Sequence, residues 1–276
     1  MTFRSLLQYG AQYLEEHLVA DASVDAWLLM EFVWNINRSC YFLHADDIIT
    51  EGKKQEYLLL LLKRGDHIPL QHLTHTAYFM GLSFYVNEHV LIPRMDTEVL
   101  VETALASIPR KARVLDMCTG SGCILLSLLH EQKDCSGLGV DISEEALKVA
   151  GINGERLGIN AEFLKSNLFE KVEGIFDLIV SNPPYIPSQV IPQLMSEVKD
   201  HEPVLALDGK ADGLYFYRKI ISQAWAYLKP DGWLMFEIGS DQGEALDRML
   251  TEADYEGVRI IKDLAGHDRV AIGQKL

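Results

Sequence analysis

The tetrapeptide Asn182-Pro183-Pro184-Tyr185 directly follows the apolar run Phe176–Ser181, so a rigid polar corner stands at the end of what reads as a buried strand. Two consecutive prolines fix φ near about −65° and supply no N–H, leaving their carbonyls and the Asn182 amide in a stiff, acceptor-rich arrangement. An amide nitrogen whose lone pair must be aimed at an electrophile needs such a grip. Taken by itself, an Asn-Pro-Pro triplet is more simply a turn that closes a strand.

A second constellation upstream changes that balance. Residues 113–116 read as a short buried strand, followed by Met117-Cys118-Thr119-Gly120-Ser121-Gly122 and an apolar helical run over 123–129. Gly120 and Gly122 allow a sharp turn and a close approach to a ligand, and the helix behind them presents its free N–H groups. Residues 137–141 form another strand, ending in the Asp141 carboxylate about 20 residues beyond the loop, where an acidic side chain meets ribose hydroxyls. Asp141 as a simple cap for the helix opening at Ser143-Glu144-Glu145 is the plainer alternative. Strand, glycine loop, helix, strand and acid together favour a nucleoside cofactor. A dinucleotide site wants a third glycine, which Gly120-Ser121-Gly122-Cys123-Ile124-Leu125 lacks, and no Lys-Ser or Lys-Thr pair follows for phosphates. A cofactor without phosphate, such as S-adenosylmethionine, fits this loop.

The chain resembles the HemK/PrmC family over nearly its whole length. These are the N5-glutamine methyltransferases that modify peptide chain release factors, within the class I S-adenosylmethionine-dependent methyltransferases. The resemblance is carried by residues 78–86, 91–98, 116–123 and 181–186, by Glu202-Pro203, Leu207-Asp208-Gly209, Asp212-Gly213-Leu214 and Glu237-Ile238-Gly239, and by residues 262–269. The corner at Asn182 is shared with enzymes that methylate adenine N6 in nucleic acids and fixes only the acceptor type. Ile92-Pro93-Arg94 and the tail at 263–269 make the family specific.

The resemblance implies an α/β fold: a doubly wound Rossmann-like methyltransferase sheet with a small N-terminal helical domain joined by a β-hairpin. It implies S-adenosylmethionine held by Cys118, Thr119, Gly120, Ser121, Gly122, Asp141, Asn167, Leu168 and Asn182. The partner it implies is a peptide chain release factor, methylated on the glutamine of its GGQ loop, in translation termination. Amide nitrogen is a poor nucleophile because its lone pair is delocalised into the carbonyl. Asn182 Oδ1 and the Pro183 carbonyl would therefore accept from the amide, Pro184 would stiffen the corner, and Tyr185 would stack on or enclose the group. Holding two reactants in near-attack geometry is worth about 7 to 11 kcal/mol, so positioning is the largest effect available and no strong base is required. Met95, Cys118 and Asn167 stand where the family usually has proline, glycine and aspartate. Asn167 keeps an acceptor for an adenine amino group and gives up the charge.

Composition agrees with this reading. A chain of 276 residues with 48% hydrophobic content holds one large domain plus a smaller one. A formal net charge of −15 speaks against a phosphate backbone as the main partner and for a protein with a basic face. An adenine-N6 nucleic-acid methyltransferase, clamping a flipped base at the same corner, is therefore the second reading. A non-catalytic module that binds release factors is the third, disfavoured by the intact corner and loop. Cys40, Cys118, Cys123 and Cys135 form no C-x-x-C pair and the residues from Met1 resemble no signal peptide, so a cytoplasmic setting is expected. The leucine run at 58–62 is too short for a bilayer, and no membrane partner is expected. His67, His72 and His75 lie close in sequence without nearby cysteines or a helical i, i+4 pair, so no metal is expected.

The elements that must position these residues follow from periodicity. Phe3, Leu6, Leu7, Leu14 and Leu18 share a helical face, residues 24–34 form a second amphipathic run, and a third helix runs to about Lys63, ended by Gly65 and Pro69. Residues 1–75 are expected to form a helical N-terminal domain that docks the partner. Residues 76–93 form a hairpin linker turning at Asn87-Glu88, and 94–276 the catalytic domain. Strands at 112–116, 137–141, 161–165, 176–181 and 232–237 alternate with helices as in a doubly wound parallel sheet, and the resemblance makes 257–262 and 269–273 an antiparallel pair. Ligands of such sheets lie beyond the carboxyl ends of the strands, where Gly120, Asp141, Asn167 and Asn182 would gather. Arg94 either closes over the site with Thr97 or pairs with Glu98, and Glu202 either caps backbone or meets the partner.

Overall fold

Thr2 opens the first helix through a reciprocal cap, its hydroxyl accepting from Ser5 N at 3.2 Å while the Ser5 hydroxyl accepts from Thr2 N at 2.9 Å. Helix α1 (Phe3–Glu16) packs with α2 (Ala22–Trp34), α3 (Arg38–His44), α4 (Glu51–Gly65) and α5 (Leu70–Thr74) around Leu6, Leu14, Leu29, Met30, Tyr57 and Leu61. Gly10 is small of necessity: a Cβ there would lie 2.3 Å from the Tyr57 hydroxyl, which donates to Ala26 O at 3.0 Å. Leu18 does not share the buried face. It lies beyond the helix cap at His17 with φ +59°, and its side chain is exposed. The helix ending at Gly65 is the fourth, because the seven-residue α3, capped by Asn37 accepting from Cys40 N at 2.9 Å, is too short to announce a period.

The computed structural model describes all 276 residues, which divide into two units: Met1–Thr76 with Met195–His201, and Ala77–Leu194 with Glu202–Leu276. Inside the first unit the buried Arg64 guanidinium holds Asp25 at 2.6 Å and Glu197 at 2.5 Å, so the segment 195–201 is tied to α4 by charge.

The second unit begins with β1 (Ala77–Phe79) and β2 (Leu82–Phe84), an antiparallel pair. Their turn falls at Met80 and Gly81, with φ +50° and +72°, the paired left-handed geometry of a two-residue hairpin, and not at Asn87-Glu88. Asn87 instead accepts from His89 N at 3.1 Å in a separate turn. Then follow α6 (Glu98–Ser107), β3 (Arg113–Met117), α7 (Cys123–Glu131), β4 (Ser136–Asp141), α8 (Glu144–Leu157), β5 (Glu162–Lys165) and β6 (Phe176–Ser181). The short α9 (Ser196–Lys199) lies in the segment assigned to the first unit. The chain ends with α10 (Val204–Leu207), α11 (Tyr215–Ala224), β7 (Leu228–Glu237), α12 (Gly243–Glu252), β8 (Glu256–Lys262) and β9 (Asp268–Gln274).

Seven strands form one sheet in the order β5-β4-β3-β6-β7-β9-β8. The first five are parallel and β9 runs antiparallel to both β7 and β8. Alternate residues of β3 explain the layers. Leu115 and Met117 join Tyr217, Ile220 and Leu246 on one face, and Val114 joins Leu100, Leu125 and Leu128 on the other. The strand order reverses between β3 and β6, which places the loops after these strands on either side of the switch point. No helix is long and apolar enough to cross a membrane.

Candidate active site

Met117 and Ser181 are partners in the sheet register, and the Ser181 hydroxyl donates to Met117 O at 2.5 Å. The glycine loop and the Asn182 corner thus leave the sheet at the same rung. Asp141 follows Val140, itself the partner of Met117 on the other side. Its carboxylate accepts from Gly120 N at 3.0 Å and from Ser143 N at 2.9 Å. The acid therefore clamps the glycine loop and also caps the turn into α8, so the two sequence readings of Asp141 are compatible. Burial pushes the Asp141 carboxyl up, opposed by these backbone N–H groups.

A cavity of about 310 Å³ lies over these loops. Cys118, Thr119, Gly120, Ser121, Asp141, Asn167, Leu168, Asn182 and Pro184 all line it, together with Val90, Ile142 and Ala146 as apolar wall. Gly122, Pro183 and Tyr185 do not. Gly122, at φ +79°, caps α7, and a Cβ on it would meet Ala150 at 3.1 Å, so its smallness serves helix packing. Gly120, at φ +54°, has nothing within 4 Å of a would-be Cβ, so the loop leaves room for a ligand. Apolar walls, a clamped carboxylate and a lysine-free glycine loop fit a nucleoside without phosphate better than one that carries it. Asn167 donates from Nδ2 to Glu170 at 2.7 Å, which turns its oxygen free of that contact.

The corner itself is held from behind. The Tyr185 hydroxyl donates to Glu237 Oε1 at 3.3 Å, and Gln242 Nε2 donates to Tyr185 O at 3.1 Å. A Cβ on Gly213, at φ +75°, would sit 2.2 Å from Tyr185 O, so backbone packs directly against backbone there. Asn182 Nδ2 donates to Thr97 Oγ1 at 3.5 Å. Burial pushes the Glu237 carboxyl up, while the Thr97 hydroxyl and the Arg269 guanidinium pull it down. Glu237 Oε2 has no hydrogen-bond partner. Arg269 also holds Asp96 and Asp263, each at 3.1 Å.

Arg94 does not pair with Glu98. It holds Glu202 at 2.7 and 2.8 Å, while Glu98 accepts from Met80 N at 2.7 Å. Two other supports had no sequence signal. Asn153, buried in α8, donates to Ser121 O at 2.9 Å and accepts from Tyr85 N at 2.6 Å, and Gln242 looks like an ordinary residue ahead of α12. Asp116, fully buried beneath the glycine loop, accepts from the Thr119 hydroxyl at 2.6 Å. Burial pushes its carboxyl up to about 7, with Thr119 and a backbone N–H opposing.

A seven-stranded sheet with a glycine loop and an Asn-Pro-Pro-Tyr corner at its switch point defines a Rossmann-like methyltransferase. Solved structures share this fold. A methyltransferase from Pyrococcus furiosus matches with a TM-score of 0.55 at 22% identity, over 71% of this chain and 89% of that one. The hMettl16 catalytic domain, solved with the MAT2A 3'UTR hairpin 6, matches with a TM-score of 0.57 at 18% identity, over 82% of each. At such identities the likeness shows the fold alone. Residues 5–74 match the PrmC N-terminal domain and residues 94–200 the methyltransferase small domain. The release factor glutamine methyltransferase of Geobacter sulfurreducens is 38% identical over 274 residues, covering 99% of this chain and 96% of that protein. That of Clostridium botulinum is 38% identical over 282 residues, covering 100% of both. The chain belongs to the release factor glutamine methyltransferase family.

Proposed function

We propose that this protein transfers the methyl group of S-adenosylmethionine to the N5 amide nitrogen of the GGQ-loop glutamine in peptide chain release factors. The observation that carries this reading is the meeting of Asn182 with the Asp141-clamped glycine loop on one cavity. When bound, the cofactor supplies an electrophilic methyl on a sulfonium. Asp141 would hold the ribose, Gly120 would let the loop close on the cofactor, and Asn167 and Leu168 would flank the adenine. Asn182 Oδ1 and the Pro183 carbonyl would accept both amide hydrogens of the glutamine, turning the nitrogen lone pair toward the methyl. Tyr185, which does not line the cavity, supports the corner from behind through its hydroxyl on Glu237. The glutamine nitrogen would take the methyl carbon as the sulfonium S–C bond opens, leaving a neutral thioether, and would release one proton to solvent.

The helices of residues 1–75 are the proposed docking domain for the release factor, residues 76–93 the linker and residues 94–276 the catalytic domain. The four cysteines are free and suit a reducing cytoplasm. The test offers release factor, other glutamine-bearing proteins and DNA to the enzyme with labelled S-adenosylmethionine, and maps the modified atom by mass spectrometry. Label on the release factor glutamine supports the reading, and label on adenine would overturn it. Asn182→Ala is expected to slow transfer by about five-fold to a few hundred-fold, the effect of one lost buried hydrogen bond of about 1 to 3 kcal/mol.

A further inference from the structure

Asn182 carries two chemically opposite ends, and only one of them serves an amide donor. If Nδ2 faced the cavity in place of Oδ1, a donor would confront the glutamine NH2 group and the grip would be lost. Nothing in the corner's backbone decides between these two orientations, because prolines fix φ but not the asparagine χ2, which is broad. The decision must come from what the other end of the amide meets.

That end meets Thr97 Oγ1 at 3.5 Å. A threonine hydroxyl is amphoteric and would accept either orientation unless its own hydrogen is committed elsewhere. Thr97 lines the cavity but is only 3% exposed, and its hydroxyl acts on the Glu237 carboxyl, holding it down against burial; Glu237 Oε2, with no other partner, is the acceptor within its reach. The other oxygen of the same carboxyl receives the Tyr185 hydroxyl. Glu237 is itself 2% exposed, and its main-chain oxygen accepts from the Tyr217 hydroxyl at 2.8 Å, which fixes the strand end that carries it. Asn182 and Tyr185, the two polar side chains of the corner, therefore converge on one buried carboxyl: Asn182 through Thr97, Tyr185 directly.

We infer that Thr97 and Glu237 are positioning residues that set the polarity of Asn182. Glu237 draws the Thr97 hydrogen, Thr97 is left as a pure acceptor toward Asn182 Nδ2, and Oδ1 is thereby turned to the substrate amide. The inference rests on the proposed glutamine methylation. Neither residue touches the reacting atoms in this scheme.

The test measures kcat and KM for release factor methylation, cofactor Kd by calorimetry and melting temperature, in the full chain. Thr97→Val keeps the shape and removes the acceptor. It is expected to lower kcat by about ten-fold or more, with KM and cofactor Kd within about two-fold, and Thr97→Ser is expected to restore kcat. Glu237→Gln sets a donor against Thr97 and is expected to lower kcat similarly, so it decides the matter should Thr97→Val fold poorly. In the Asn182→Ala background Thr97→Val is expected to cost little further, because the group it orients is gone. A folded Thr97→Val at the wild-type rate, or a Thr97→Ser as slow as Thr97→Val, would overturn the inference. Asn182→Ala at the wild-type rate would instead overturn the proposed function itself, so the two failures are distinguishable.

Discussion

Arg94 and Glu202, 108 residues apart in sequence, are joined by two hydrogen bonds of 2.7 and 2.8 Å from one guanidinium nitrogen, and the same carboxylate accepts from Ile92 N at 3.4 Å. The pair ties the stretch ahead of α6 to the stretch ahead of α10, the two sides of the cavity that Pro93 and Pro203 also line. The Glu202 side chain is 1% exposed and that of Arg94 40%. The partners are therefore not equivalent. Arg94→Ala strands a buried carboxylate and is expected to lower stability by about 2 kcal/mol, the buried-pair figure discounted for the exposed partner. Glu202→Gln, which keeps an acceptor for Ile92 N, is expected to be milder. Chemical denaturation of both variants checks the order, and equal losses would refute the asymmetry.

Cys118 occupies the left-handed region at φ +62° in the first turn of the glycine loop. A side chain there carries a strain of about 1 kcal/mol that glycine avoids, though glycine also makes the unfolded chain freer. Cys118→Gly is expected to change stability by less than about 1 kcal/mol, whereas Cys118→Val, β-branched at the same φ, is expected to lose more than that. Melting temperatures of the two variants give the comparison.

Asp116 makes stability depend on pH in a definite direction. Its folded pKa is pushed up to about 7, against about 3.9 in an unfolded chain, so between these values the native state holds more protons than the unfolded one. The stability it contributes is fully present below about pH 4 and is lost as pH rises toward 7. Asp116→Asn removes this dependence. The variant's melting temperature relative to wild type is expected to climb from pH 5 to pH 7.5 and level off above. A constant difference across that range would show that Asp116 is ionised throughout.

For Asp141 the clamp and the proposed ribose contact act together. Asp141→Asn keeps one acceptor but faces the second backbone N–H with a donor. Cofactor Kd is expected to rise by about ten-fold or more, measured by titration calorimetry with S-adenosylmethionine. An unchanged Kd would remove Asp141 from the cofactor site.

The parallel strands were legible because each is a short apolar run closed by a polar or glycine-rich turn, and β6 falls where its pattern places it, at Phe176–Ser181. The hairpin turn was misplaced for a local reason. Alternation continues past Phe84, while the decisive feature is a pair of positive φ angles at Met80 and Gly81, and methionine gives no hint of that conformation. The cavity-lining residues were legible where a motif is contiguous, as at 118–121. Thr97, Glu237, Gln242 and Asn153 were not assigned their supporting contacts, because these include hydrogen bonds to residues 32 to 85 positions away that only the folded chain creates.

The chain passes between its two units three times, after Thr76, after Leu194 and after His201. No single cut therefore yields both parts whole. Removing the front helices would leave residues 195–201 behind and deprive Glu197 of Arg64. For the gene, this means that the front helices are not a cassette to be exchanged at one boundary. A recombinant that swapped them alone would pair Glu197 with whatever residue the incoming helices carry in place of Arg64, so the two stretches must descend together.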